Sequence, residues 1–248
     1  MTNPLRHLKL NVTYDGSGYF GFQLQANVPT IQGDLEKAFG IILSESVRVH
    51  GSGRTDTGVH ALGQVVLIHT TCPIPVDKLI KALNGVLPPA IRVTSVEETS
   101  PEFHPRFSAK AKSYRYLFKR VRERTPFLER FYCQVVGEID VGRMREGAAM
   151  FAGEHDFSSF TRSPDTKDNP VRKILSADVT EQGDEIVFDV TGNGFLHNMV
   201  RNMARALLLI GRNEMEPHEI VELYRNQDRR RLGPPAPAAG LYLMKVMY

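Results

Sequence analysis

Leu8, Leu10, Val12 and Tyr14 alternate with polar residues, the period of a half-buried strand. Ile31, Leu35, Phe39 and Ile42 recur at helical spacing instead, which predicts a helix over residues 30 to 44. Val47 to His50 reads as a short strand, residues 62 to 69 as a buried strand, Val76 to Leu83 as a helix closing near Gly85, and Ile91 to Val96 as a further strand. The order is β-α-β-β-α-β, the ferredoxin-like pattern. The prolines and mixed polarity of residues 101 to 110 predict a linker.

A second unit follows. Tyr114, Tyr116 and Phe118 alternate with Arg115, Leu117 and Lys119 on a strand, so the two tyrosines share one face and Arg115 takes the other. Phe131 to Val136 reads as a strand, Val141 to Phe151 as a helix stopped by Gly153, and residues 171 to 180 and 184 to 191 as a hairpin. A long helix is expected from Phe195 to Ile210, a shorter one after Pro217, and a closing strand from Leu241 to Val246. In the long helix Phe195, Met199, Met203, Ala206 and Ile210 form an apolar stripe, with His197, Arg201, Arg205 and Arg212 opposite. The fold class expected is α+β: two tandem ferredoxin-like domains with mainly antiparallel sheets, residues 1–105 and 106–248.

The composition, 42% hydrophobic and 24% charged over 248 residues, is that of a globular chain with room for one large or two small cores. Cys72 and Cys133 are too few for a disulfide framework, and no apolar run reaches the length of a membrane span. A cytoplasmic protein is expected. The eight histidines lack metal-ligand spacing, and neither a nucleophile elbow nor a dinucleotide fingerprint follows a strand. His155 to Phe160 reads as a packed loop at a helix exit.

The net charge of +3 is uninformative, but its distribution is not. Nine Lys or Arg lie between His104 and Arg130 against two acids, Glu123 and Glu129. The arginines of the long helix and a group at Arg225, Arg229, Arg230 and Arg231, opposed by Asp228, make two further clusters. Three clusters on a nearly neutral chain imply an anionic partner, RNA or DNA.

The chemistry-bearing stretch runs from Gly51 to Ala61. If its middle is extended, Arg54 and Asp56 point into the same space, where a guanidinium keeps a carboxylate ionised. Such a carboxylate is a nucleophile, a base, a metal ligand or, given its Thr and Gly neighbours, a turn-former. Upstream, residues 15 to 25 form a glycine-rich loop whose aromatics either stack on bases or fold back under the sheet.

Ordered motifs along the whole chain carry a resemblance. They are Tyr14-Asp15-Gly16-Ser17 with Gly21-Phe22-Gln23, the stretch Gly53 to Ala61, Phe103-His104-Pro105-Arg106-Phe107, Lys112-Ser113-Tyr114-Arg115-Tyr116, Asp156 to Phe160, Gly194 to Asn202, and Gly240-Leu241-Tyr242-Leu243. On these the chain resembles the bacterial tRNA pseudouridine synthase A family. The resemblance implies a uridine isomerase: the C1′–N1 bond breaks, the uracil turns, and C5 bonds to C1′, with no metal or organic cofactor. It implies Asp56 as the catalytic aspartate, a nucleophile or a participant in a glycal-type route. Tyr114 would stack on the uracil, Arg201 would pair with the aspartate, Leu241 would line the pocket, and Arg54 would assist in extruding the base. It further implies a catalytic cleft between the two domains, a homodimer, and the anticodon stem-loop of tRNA as partner, with uridines 38, 39 and 40 as targets. Phe22, Thr57 and Ala90 stand where the family commonly has Trp, Ala and an acid. The rival readings are a non-catalytic RNA-binding protein on the same scaffold and a nucleoside-bond hydrolase.

Overall fold

A computed structural model describes residues 3–161 and 169–248 of the chain. Its fold is mixed α and β, and its chain separates into two compact units, Met1–Lys110 with Leu243–Tyr248, and Ala111–Tyr242.

The first unit runs β1 (Arg6–Tyr14), α1 (Ile31–Leu43), β2 (His50–Gly51), β3 (His60–Thr70), α2 (Val76–Val86) and β4 (Ile91–Glu98). The expected order of elements is present. The second strand is confined to His50–Gly51 rather than Val47–His50, since only these two residues pair with β3. β1 sits between β3 and β4, antiparallel to both. Its alternation is used as the period requires: Leu8, Leu10, Val12 and Tyr14 are buried, with Ile68 and Val66 opposite Leu8 and Leu10. Thr30 caps α1 by accepting from Gly33 N–H, and Leu35, Phe39, Leu79 and Leu83 supply the helical side of the core.

Residues 101 to 110 are not a loose linker. Lys9 of β1 holds its ammonium 5.5 Å from the Phe103 ring and 5.0 Å from Tyr248, and Tyr248 OH donates to Pro105 O at 2.9 Å. Their prolines and polar residues look like a linker locally, but partners far away in the chain order them.

The second unit contains β5 (Ala111–Val121), β6 (Cys133–Val136), α3 (Val141–Ala149), β7 (Gly153–Asp156), β8 (Val171–Gln182), β9 (Glu185–Gly192), α4 (Met199–Gly211) and α5 (Glu219–Asn226). The last strand, β10 (Leu241–Met247), begins in this unit and ends in the first. β5 pairs antiparallel with β9, β9 with β8 and β8 with β7, while the short β6 runs parallel to β5. β7 takes up His155 and Asp156, and the loop after it buries Phe157, Ser159 and Phe160 completely, as a packed segment should.

The long helix starts at Met199, four residues later than its apolar stripe predicts. Asn198 has a left-handed backbone (φ 60°, ψ 6°), which a continuous α-helix cannot contain. Phe195 is therefore a loop residue. Nor is the arginine stripe a solvated face: nearly all of α4 is buried, and Arg201 and Arg205 are half-buried.

Candidate active site

In the first unit Asp56 lies in the connection between β2 and β3, and that connection is locked from inside. Ser52 N–H donates to Val65 O at 2.8 Å, and Ser52 Oγ donates to Gln64 Oε1 at 2.6 Å. The Gln64 amide in turn donates to Gly53 O at 3.1 Å and to Tyr14 OH at 3.3 Å. The Tyr14 hydroxyl also meets Thr55 Oγ1 at 2.8 Å. Ser52, Gln64, Thr55 and Tyr14 are all buried, so each of these polar atoms needs the partner it has. Burial pushes the Tyr14 phenol up to about 12, against the opposing pull of its bonds to Thr55 and Gln64.

A second clamp comes from the glycine-rich loop after β1. Phe22 N–H donates to Thr55 O at 3.0 Å and Gly58 N–H to Tyr19 O at 3.3 Å. Gly16 N–H approaches His60 Nδ1 at 3.1 Å, and the Asp15 carboxylate stands 3.3 Å from the same nitrogen. The two loops touch backbone to backbone: a Cβ on Gly16 would stand 2.0 Å from Val59 O, and one on Gly21 would stand 2.7 Å from Thr55 O. Of the loop aromatics, Tyr19 and Phe22 fold back into the core while Phe20 is 50% exposed.

The main chain turns at Asp56 itself. Val59 N–H donates to Asp56 O at 3.1 Å, and Gly58 has φ 78°, as the third position of a type II turn demands. The turn thus uses the backbone carbonyl of Asp56, and its carboxylate is half-buried. Arg54, two residues earlier on the same loop, is exposed.

In the second unit the alternation of β5 behaves as read from the sequence. Tyr116 and Phe118 are fully buried, and Tyr116 OH donates to Pro237 O at 2.8 Å. Burial pushes the Tyr116 phenol well above its ordinary value. Tyr114, nearer the start of the strand, is half-buried, and its ring meets the Phe195 ring at 5.0 Å and 76°, an edge-to-face pair. Helical spacing predicts Phe195 on the apolar stripe of the long helix; its contact with Tyr114 becomes visible only once the helix start is known. Arg201 donates from Nε to Ala236 O at 2.8 Å and from Nη1 to Asn198 Oδ1 at 2.9 Å. Arg205 donates from Nε to Leu232 O at 3.1 Å, so both arginines bind the segment that leads to β10. Leu241, the first residue of β10, is buried.

Much of the basic charge is answered locally. Arg115 makes a two-bond pair with Asp189, directly opposite on β9, at 2.8 and 2.9 Å. Lys119 pairs with Glu185 and Arg120 with Glu181. Arg231 pairs with Glu219, an acid that the local sequence around 225 to 231 does not reveal. Arg106, Lys110, Arg122, Arg124 and Arg225 are exposed. Among the described residues no helix is long and apolar enough to cross a membrane.

The family described as tRNA pseudouridine synthase matches residues 11–108 and 148–248. A protein named tRNA pseudouridine synthase A from Exiguobacterium sp. strain AT1b is 40% identical over 98% of this chain and 98% of its own. Proteins of the same name from Ruminiclostridium cellulolyticum and Anoxybacillus flavithermus are also 40% identical, over 98% of this chain and 100% and 99% of theirs. Among solved structures, a chain of the archaeal box H/ACA sRNP Nop10–Cbf5 complex aligns at 12% identity, covering 93% of this chain and 58% of that one, with a TM-score of 0.36, too slight to carry an argument. On sequence over nearly its whole length, the chain belongs to the tRNA pseudouridine synthase family.

Proposed function

We propose that the protein isomerises uridine to pseudouridine in tRNA, acting on the anticodon stem-loop at positions 38, 39 and 40. The observation that carries this reading is the Asp56 loop: a half-buried carboxylate at the head of a tight turn, clamped by Gln64 and Tyr14 on one side and by the 15–25 loop on the other. A reacting carboxylate must be held in a fixed geometry, and this loop has the means to hold one.

In the proposed reaction Asp56 attacks the nucleoside, or draws a proton in a glycal-type route, as the C1′–N1 bond breaks. The uracil turns, C5 bonds to C1′, and the C5 hydrogen leaves as a proton while N1 takes one up, so no atom is gained or lost. Arg201 is the basic residue the reaction requires, Tyr114 stacks on the uracil, Leu241 gives the ring an apolar wall, and the exposed Arg54 assists in extruding the base. The side-chain locks on Arg201 and the Phe195 edge on Tyr114 suit these roles, because each limits the freedom of a group that must meet its target. We read each unit as a ferredoxin-like β-α-β-β-α-β domain; in chain order the second runs β5-α3-β8-β9-α4-β10, with β6 and β7 added. The same reading makes the protein a cytoplasmic homodimer.

The test is tritium release from a tRNA transcript labelled as [5-³H]uridine. The isomerase releases tritium and leaves every base attached to its ribose. A binding protein releases none, and a hydrolase yields free labelled uracil.

A further inference from the structure

One motif of the chain, Phe103 to Phe107, is left without a role in the reaction above. Phe107 is 77% exposed. A single exposed apolar side chain is ordinary on a protein surface, so exposure alone means little. What sets Phe107 apart is how firmly its surroundings hold it. The imidazole of His104 accepts at Nδ1 from the N–H groups of Arg106 at 3.1 Å and Phe107 at 3.3 Å. Ser108 N–H donates to His104 O at 2.9 Å, and His104 N–H donates to Ser108 Oγ at 3.1 Å. Tyr248 ties Pro105 O to the sheet at 2.9 Å. On this frame the Phe107 ring lies 4.4 Å from the His104 ring at a tilt of 32°, and the Arg106 guanidinium sits 5.8 Å from the Phe107 centroid.

We infer that Phe107, with Arg106, is a stacking platform for an unpaired base of the RNA substrate. This rests on the RNA reading of the preceding section. A rigid ring loses little conformational freedom when a flat ligand settles on it, so the ordering cost is met in advance by the His104 and Ser108 bonds. Stacking on a phenyl ring tolerates any base, and the exposed Arg106 and Lys110 supply cations for the flanking phosphates. A second copy of the chain fits this surface less well. A two-fold contact centred on Phe107 would bring Arg106 against its own copy, cation to cation.

The chain contains no tryptophan, so Phe107→Trp places a single indole at the platform. Titration with the tRNA transcript is expected to quench that indole saturably. Phe107→Ala is expected to raise KM for tRNA in the tritium assay roughly tenfold with kcat unchanged. Arg106→Gln is expected to lower the salt dependence of tRNA binding by about one phosphate contact. An indole whose fluorescence ignores tRNA at concentrations that saturate binding, together with an unchanged KM for Phe107→Ala, overturns the inference. So does a loss of self-association in Phe107→Ala at unchanged KM, which would assign the ring to a protein contact. Quenching by tRNA without any tritium release in the wild type would keep the platform and defeat the isomerase reading instead.

Discussion

In the first unit β1 lies beside β3, and in the second β5 lies beside β9; both pairs are antiparallel. From this shared pair the units hold their candidate groups by different means. Asp56 stands on a connection fixed through its main chain: backbone bonds at Ser52, Thr55, Gly58 and Val59, the Gln64 amide on Gly53 O, and two close glycine approaches set where its Cα lies. Tyr114 and Arg201 stand on a regular strand and helix, and are fixed through their side chains, by the Phe195 ring, Asn198 Oδ1 and Ala236 O. The first arrangement should fail when backbone contact is disturbed, and the second when a neighbouring side chain is trimmed.

The sharpest way to break this contrast is Gly16→Ala. Its Cβ would meet the Val59 carbonyl oxygen at 2.0 Å, and backbone on both sides leaves little room to yield. A loss of about 3 kcal/mol in stability is expected from denaturant unfolding, and tritium release should fall about a hundredfold through displacement of Asp56. Gly18→Ala, with open space around its Cβ, should stay within about 0.5 kcal/mol of the wild type.

The buried phenol of Tyr14 belongs to the clamp on the Asp56 loop. Its folded value, about 12, lies above the ordinary 10.0, so the folded state holds this proton more tightly. The contribution is complete below pH 10 and is lost as pH rises towards 12. Between those limits the wild type should lose roughly 2–3 kcal/mol that Tyr14→Phe does not lose, seen in unfolding curves across that range.

On the other side, Phe195→Ala removes the edge contact to Tyr114. We expect kcat in the tritium assay to fall roughly fivefold to tenfold, and binding of a stem-loop to change little, with melting curves reporting the stability cost separately. The smallest effect belongs to the Arg115–Asp189 pair, whose side chains are 41% and 46% exposed. A double-mutant cycle with Arg115→Gln and Asp189→Asn should give no more than about 1 kcal/mol, shrinking in salt.

The same contrast explains what could be read from the sequence. The strand period at Leu8 to Tyr14 and the helical period at Ile31 to Ile42 are local signals, and the elements stand where they predict. The turn at Asp56 is equally local, because Gly58 announces it. The apolar stripe predicts too early a start for α4, because it runs on through Phe195 while a single left-handed residue, Asn198, interrupts the helix. Pairing of Arg231 with Glu219, packing of residues 101 to 110 on Lys9 and Tyr248, and the clamp of Gly16 on Val59 all join segments far apart in sequence. Periodicity carries no record of such contacts. The motifs identified the candidate residues, but only the fold supplies the bonds that hold them.

In the proposed reaction the carboxylate of Asp56 performs the isomerisation. Asp56→Asn keeps the size and shape of the side chain and removes its charge, so the loop and its clamps should survive. Tritium release from [5-³H]uridine tRNA, measured in a single turnover with enzyme in excess, is expected to drop by a factor on the order of 10⁴ or more, while tRNA binding and the unfolding midpoint stay near those of the wild type. Release by Asp56→Asn at a rate close to that of the wild type would move the chemistry to another residue.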